Sequence, residues 1–107
     1  MSGEQNESLE HERQVTDEQL AWQVHDSLVR CGLSRTEYRA DGSDILRVPK
    51  VVAVDVGPPR WVEIDMLPDQ SAEDFVEHAP SIARDLGVST IGLVSVGPSR
   101  IRLELLL

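Results

Sequence analysis

The chain has 107 residues, a hydrophobic fraction of 40% and a formal net charge of −9, values typical of one soluble globular domain. No apolar run is long enough to predict a membrane-spanning helix, and the negative charge disfavours unaided binding to nucleic acid because it repels phosphate groups. The polar amino-terminal stretch lacks the apolar core of a secretory signal, and Cys31 is the one cysteine, so we expect a cytoplasmic protein.

The first third of the chain divides into an acidic tail and an amphipathic helix. Residues 1–15 lack a hydrophobic period and are predicted to form a flexible acidic tail in front of a single α+β domain at residues 16–107. A capping box of Thr16 and Gln19 predicts the start of a helix over residues 17–31. Its apolar stripe consists of Leu20, Val24, Leu28 and Cys31, followed by Gly32 as the stop.

Two weaker signals lie on either side of the strand-rich region. Asp41-Gly42 predicts a small hairpin, which Pro49 ends. Further on, Ser71 is a suitable N-cap for a helix that runs to Leu86. Pro80 lies inside that helix and predicts a kink or a short break, because proline has no N–H to donate to the preceding turn.

A turn that occurs twice defines the architecture. "VGPPR" at residues 56–60 and "VGPSR" at residues 96–100 each lie between two runs of alternating apolar and polar residues, so each predicts a β-hairpin. The apolar positions after Arg60 and after Arg100 have opposite parity, which predicts a bulge or a longer loop in one hairpin. The predicted inward faces are Val52, Val54 and Val56; Val62, Ile64 and Met66; and Ile101, Leu103 and Leu105.

The order of these elements predicts an α+β fold built on a ββαββ unit. The four strands are expected to form a mainly antiparallel sheet with helices packed on one face, preceded by the amino-terminal amphipathic helix. Such an arrangement gives one small two-layer domain.

No catalytic or metal-binding motif stands out. The histidines have no metal-ligand spacing with one another or with Cys31, and no phosphate-binding glycine loop precedes Lys50. Glu63 and Asp65 share a strand face and would suit acid–base chemistry, but alternating charges on a solvated strand are the commoner arrangement. We therefore expect a protein that is not an enzyme and uses neither a metal nor a cofactor.

Four side chains are candidates for contact with a partner. Trp61 and Trp22 lie off the main apolar stripes, so each is either an exposed anchor or a lid on the edge of the core. Arg60 and Arg100 follow the two hairpin turns and would reach phosphates or carboxylates together if both turns pointed to one edge. Solvated turn residues are the preferred interpretation of these arginines.

The stretch from Val48 to Leu107 resembles the region before the ATPase motor of actinobacterial FtsK/SpoIIIE-type DNA translocases and their plasmid-transfer relatives. The pieces that carry the resemblance are "VPKVVAVDVGPP", "MLPDQSAEDF", "IARDLGV" and "GPSRIRLELL". In that family the segment is a small α/β domain that helps to build the translocase ring, and the ATPase motifs follow it. This chain ends where the motor would begin, so the resemblance implies no catalytic residue here.

Three functional hypotheses remain open at this point. The first is an interaction or assembly domain, a fragment of a translocase or a free-standing phage or mobile-element protein, that self-associates or binds a translocase-like protein. The second is an acidic nucleic-acid mimic that acts as an inhibitor, since residues 1–44 hold ten of the nineteen acidic residues. The third is direct DNA contact through Arg60 and Arg100. We expect no membrane partner.

Overall fold

A computed structural model describes residues 16–106, and the predicted acidic tail at residues 1–15 lies outside them. The elements in chain order are α1 (Asp17–Arg30), β1 (Arg35–Tyr38), β2 (Asp44–Arg47), β3 (Lys50–Asp55), β4 (Arg60–Asp65), α2 (Ala72–Leu86), β5 (Thr90–Ser95) and β6 (Arg100–Leu106). This order confirms the predicted α+β class and the ββαββ unit with a helix in front of it.

The main sheet has four antiparallel strands in the order β3-β4-β6-β5. The two hairpins therefore join through β4 and β6, with Arg60 opposite Leu105 and Asp65 opposite Arg100. Because β4 and β6 run in opposite directions, the two turns lie at opposite ends of the sheet. Five residue steps along β4 separate these ends, about 17 Å.

Both helices pack on one face of this sheet and bury its inward side chains. α1 lies over β3 and α2 lies over β5, and the two helices contact each other. Ser27 of α1 donates a hydrogen bond of 2.7 Å to Asp85 of α2. The buried core consists of Leu20, Val24, Leu28, Leu33, Val62, Ile64, Phe75, Ile82, Ile101, Leu103 and Leu105.

The helix ends follow the sequence signals closely. The backbone N–H of Gln19 donates to Thr16 Oγ1 at 3.1 Å, and the N–H of Thr16 donates to Gln19 Oε1 at 3.0 Å, which confirms the capping box. Gly87 caps the carboxyl end of α2, and its φ of 70° is the left-handed conformation that favours glycine.

The predicted break at Pro80 is absent, because α2 is continuous from Ala72 to Leu86. Proline removes the donor that would reach the carbonyl of Val76. Both residues lie on the exposed side of the helix, so water can satisfy that carbonyl and the helix need not open.

The Asp41-Gly42 signal also corresponds to a real hairpin. β1 and β2 form a separate two-stranded sheet with Tyr38 opposite Asp44. Gly42 has a φ of 89°, and the Asp41 carboxylate accepts from the N–H of Ser43 at 2.9 Å and from its hydroxyl at 2.6 Å. This hairpin exposes large apolar side chains, because Tyr38 is 81% and Leu46 is 53% exposed.

The predicted bulge is present, and it lies in β3. Val51 pairs with Ile64 and Ala53 pairs with Glu63, so Val52 is an extra residue in the strand. The predicted inward face is therefore wrong at Val52, since the bulge shifts the alternation by one residue. Val51 packs against the core in its place, together with Val54 and Val56.

The bulge predicts that two adjacent valines differ in their contribution to stability. Val51→Ala removes two methyl groups that pack against the core, whereas Val52→Ala removes them from a side chain that is not among those packed against the core. We expect Val51→Ala to lower the free energy of unfolding by about 1 kcal/mol more than Val52→Ala, measured by urea denaturation. Both substitutions are valine-to-alanine changes at adjacent positions of β3, so each is the reference for the other. A larger loss in Val52→Ala would contradict the bulge.

Candidate protein-docking sites

The outer face of the sheet, opposite the helices, carries a ladder of cross-strand pairs between β4 and β6. The pairs are Trp61 with Glu104, Glu63 with Arg102, and Asp65 with Arg100. The face is rich in charge, and the arginines of β6 pair with carboxylates of β4.

Trp61 lies on this outer face and already has a partner within the chain. The Arg102 guanidinium carbon is 4.4 Å from the centre of the Trp61 ring, a cation–π distance. Arg102 Nη2 and Nε also donate to Glu63 Oε2 at 2.6 Å and 3.0 Å. The predicted location of Trp61 on the more polar strand face is confirmed, but one side of its ring is covered by Arg102.

Arg100 is also engaged, because it forms a two-point salt bridge with Asp65. Its Nε is 2.6 Å from Asp65 Oδ1 and its Nη2 is 3.2 Å from Asp65 Oδ2. The hydrogen bond from Arg100 lowers the pKa of Asp65 below its ordinary value, and the same bond raises the pKa of Arg100. This guanidinium is therefore neutralised locally.

Arg60 lies at the other end of the sheet, on the side where the helices pack. It lines a shallow cavity of about 470 Å³ with Pro58, Pro59, Val88 and Leu105 among its neighbours. Arg60 and Arg100 are thus separated by the length of β4 and by the sheet itself. The two turns therefore do not converge on one edge, as a joint contact of both arginines with phosphates would require.

Trp22 lines an apolar cleft between α1, the β1–β2 hairpin and β3. Trp22 is 60% exposed, and its ring meets His25 edge-on with centroids 5.5 Å apart. The cleft has a volume of about 510 Å³. Its lining, here called the Trp22 cleft, is Glu18, Ala21, Trp22, His25, Leu46, Val48, Pro49, Lys50 and Val51.

Sequence reasoning singled out Trp22 but missed the opposite wall of its cleft. Leu46 and Val48 stand two residues apart immediately before Pro49, a spacing that places them on one side of an extended chain. That signal is weak by itself, because nothing local shows that this segment folds back over α1. The site arises from tertiary packing.

No group of three His, Cys, Asp or Glu side chains within residues 16–106 is placed to hold a metal ion. Burial raises the pKa of the Cys31 thiol, which disfavours the reactive thiolate. Neither helix of the described region is long and apolar enough to cross a membrane.

Comparisons with protein-family models, with curated proteins and with solved structures found no match. The resemblance to the region before the translocase motor therefore depends on the quoted sequence motifs alone.

The Arg100–Asp65 pair predicts that the pKa of Asp65 depends on Arg100. Because Arg100 holds the pKa of Asp65 below its ordinary value, the pair stabilises the fold above the unfolded-state pKa. That contribution is lost as pH falls through the lower folded-state pKa. We expect Arg100→Gln to raise the pKa of Asp65 towards its ordinary value, measured by carbon NMR of the carboxyl group.

The matched control is Arg47→Gln, which removes an arginine that pairs with Glu37 in the separate β1–β2 hairpin at 2.9 Å. It should leave the titration of Asp65 unchanged. An unaltered Asp65 pKa in Arg100→Gln would show that the salt bridge does not persist in solution.

Proposed function

We propose that this protein is a non-enzymatic interaction domain that docks on another protein through the Trp22 cleft. The observation that carries the proposal is the 60% exposure of Trp22 at the mouth of an apolar cleft. Tryptophan side chains that bury large areas on binding dominate the energy of many protein interfaces. A half-covered indole beside aliphatic walls is suited to receive an apolar side chain from a partner.

The walls of the cleft come from structured elements, which favours binding with little loss of entropy. α1 holds Trp22 and is anchored to the core by Leu20 and Val24, which are almost fully buried. β3 supplies Val51 from within the main sheet. The remaining wall includes Leu46 of β2, which belongs to the separate two-stranded sheet.

The state of the strand-face carboxylates supports a role without catalysis. Glu63 and Asp65 are the acids that would suit acid–base chemistry, and each is held by an arginine of β6. The hydrogen bond from Arg100 lowers the pKa of Asp65, and a carboxylate with a lowered pKa is a weak proton acceptor near neutral pH. The outer face therefore supports the sheet and provides no poised acid–base pair.

The resemblance stated above suggests the kind of partner. It points to a ring-forming DNA translocase of the FtsK/SpoIIIE type, with this domain acting as an accessory or free-standing copy of an assembly domain in the cytoplasm. Because the chain carries a net charge of −9, a basic rim around the docking segment of the partner would speed association. The acidic-mimic hypothesis rests on the acidic residues of residues 1–44, of which residues 1–15 lie outside the described region, and no contact within residues 16–106 favours it.

Binding to a purified actinobacterial FtsK/SpoIIIE-type translocase tests the proposal. We expect the full chain to bind the translocase. The substitution Trp22→Ala should raise the dissociation constant by about tenfold or more, measured by biolayer interferometry. Trp22 is mostly exposed, so this substitution should leave the unfolding transition nearly unchanged.

The matched control is Tyr38→Ala, which removes an aromatic side chain that is 81% exposed and does not line the cleft. It should bind as the unaltered chain does. Absence of binding by the unaltered chain would refute this partner, and equal binding by Trp22→Ala would refute this surface.

A further inference from the structure

The two edges of the main sheet differ in how they are protected from further pairing. The β3 edge follows Pro49, contains the bulge at Val52 and carries Lys50 and Asp55 at its ends. Bulges, prolines and charges are the usual features that stop an edge strand from pairing with another chain. The β5 edge has none of them: its sequence is "TIGLVS" and its register with β6 is unbroken.

The free hydrogen-bonding groups of β5 can be assigned from its pairing with β6. The N–H of Val96 donates to the carbonyl of Arg100 at 3.0 Å, so the backbone of Val96 points towards β6. In an antiparallel ladder this direction alternates, so Thr90, Gly92 and Val94 also point towards β6. The backbone groups of Ile91, Leu93 and Ser95 therefore point outward, where no other strand of residues 16–106 lies.

β5 is self-complementary about Leu93. If a second β5 pairs antiparallel with Leu93 opposite Leu93, the outward groups of Ile91 face those of Ser95 in the other copy, and every outward N–H meets a carbonyl. On the outer face of the sheet the side chain of Val94 then lies beside Gly92 of the other copy, and on the inner face Ile91 lies beside Ser95. Both of these contacts match a large side chain with a small one, and the two copies of Leu93 meet at the two-fold axis.

Exposed apolar side chains surround this edge. Val94 is 42% and Val96 is 41% exposed. Val76 of α2 is 55% exposed, and nine residues separate it from Asp85, which contacts α1, so it lies about 180° around the helix on the side away from α1. Since α2 covers β5, that side borders the free edge.

We propose that two copies of this chain form a symmetric dimer by antiparallel pairing of their β5 edges, which makes one continuous eight-stranded sheet. The pairing satisfies the outward backbone groups of β5 and covers Val94, Val96 and Val76, and no charged residue of β5 is forced together. The inference goes beyond the proposed docking on another protein, because it concerns self-association and uses a surface separate from the Trp22 cleft.

Sedimentation of the full chain tests the dimer. We expect a mass of twice 11.9 kDa at the upper end of a range of roughly 5 to 500 μM. Ser95→Pro removes an outward N–H and leaves the β6 ladder intact, a position where edge strands tolerate proline. It should raise the dimer dissociation constant by about tenfold or more, whereas the matched control Ser95→Ala, which keeps the N–H, should not.

A second variant keeps the test decisive if Ser95→Pro fails to fold. Val94→Lys changes an exposed side chain and places a lysine beside the edge, the protection that β3 already has. It should also give a monomer. A monomeric unaltered chain across the whole range, or a folded Ser95→Pro or Val94→Lys chain that dimerises normally, would overturn the proposal.

Cross-linking tests the register in a Cys31→Ala background. Gly92→Cys and Val94→Cys chains, mixed and oxidised, should form a disulfide between unlike chains, because these positions face each other at about 4.5 Å between Cα atoms. A Cβ at Gly92 would be 3.7 Å from its nearest neighbour, Glu104 Cβ, an ordinary contact. Gly92→Cys alone is the control, since its two copies lie about 8 Å apart. Efficient cross-linking in the control would contradict the register.

Failure of the dimer and failure of the proposed partner docking can be told apart. Ser95→Pro should bind the translocase as the unaltered chain does, and Trp22→Ala should dimerise normally. If Trp22→Ala abolished dimerisation and Ser95→Pro did not, self-association would be assigned to the Trp22 cleft. That outcome would overturn the β5 dimer alone.

Discussion

The antiparallel pairing of β4 with β6 is the constraint on which the rest of the structure depends. It places Val62 and Ile64 beside Leu103 and Ile101 on the face that the helices cover. The same pairing aligns the acids of β4 with the arginines of β6 on the other face, so the salt bridges follow from the register. It also sends the two hairpin turns to opposite ends, which separates two arginines that occupy equivalent places in the sequence.

Local signals predicted most of the fold, because the features they concern are local. The capping box, the glycine after α2 and the two glycine–proline turns act over a few residues, and each corresponds to a boundary in the structure. The parity of the apolar positions led to the expectation of an irregular hairpin, but the two turns pair alike, Asp55 with Trp61 and Ser95 with Ile101, so the parity reflects the opposite faces that the hairpins turn to the helices. It could not place the irregularity at Val52, because that position is fixed by which residue of β3 meets Ile64.

The candidate site was predicted only in part, for the same reason. Trp22 was recognisable as an aromatic residue off the apolar stripe, but the opposite wall comes from a hairpin that a long-range fold brings near. Trp61 and Arg100 were expected to be available for contact, and each instead has a partner one strand away. Sequence spacing gives the face on which a strand residue lies and does not give its neighbour across the sheet.

The unequal edges of the sheet limit how large an assembly can become. A body with two open edges adds copies without end and grows into a fibre. Here the bulge and the charged ends of β3 disfavour pairing at that edge, and the proposed two-fold pairing would occupy the β5 edge of both molecules. Association along the sheet would then stop at two copies, which would protect a small valine-rich chain from amyloid-like growth.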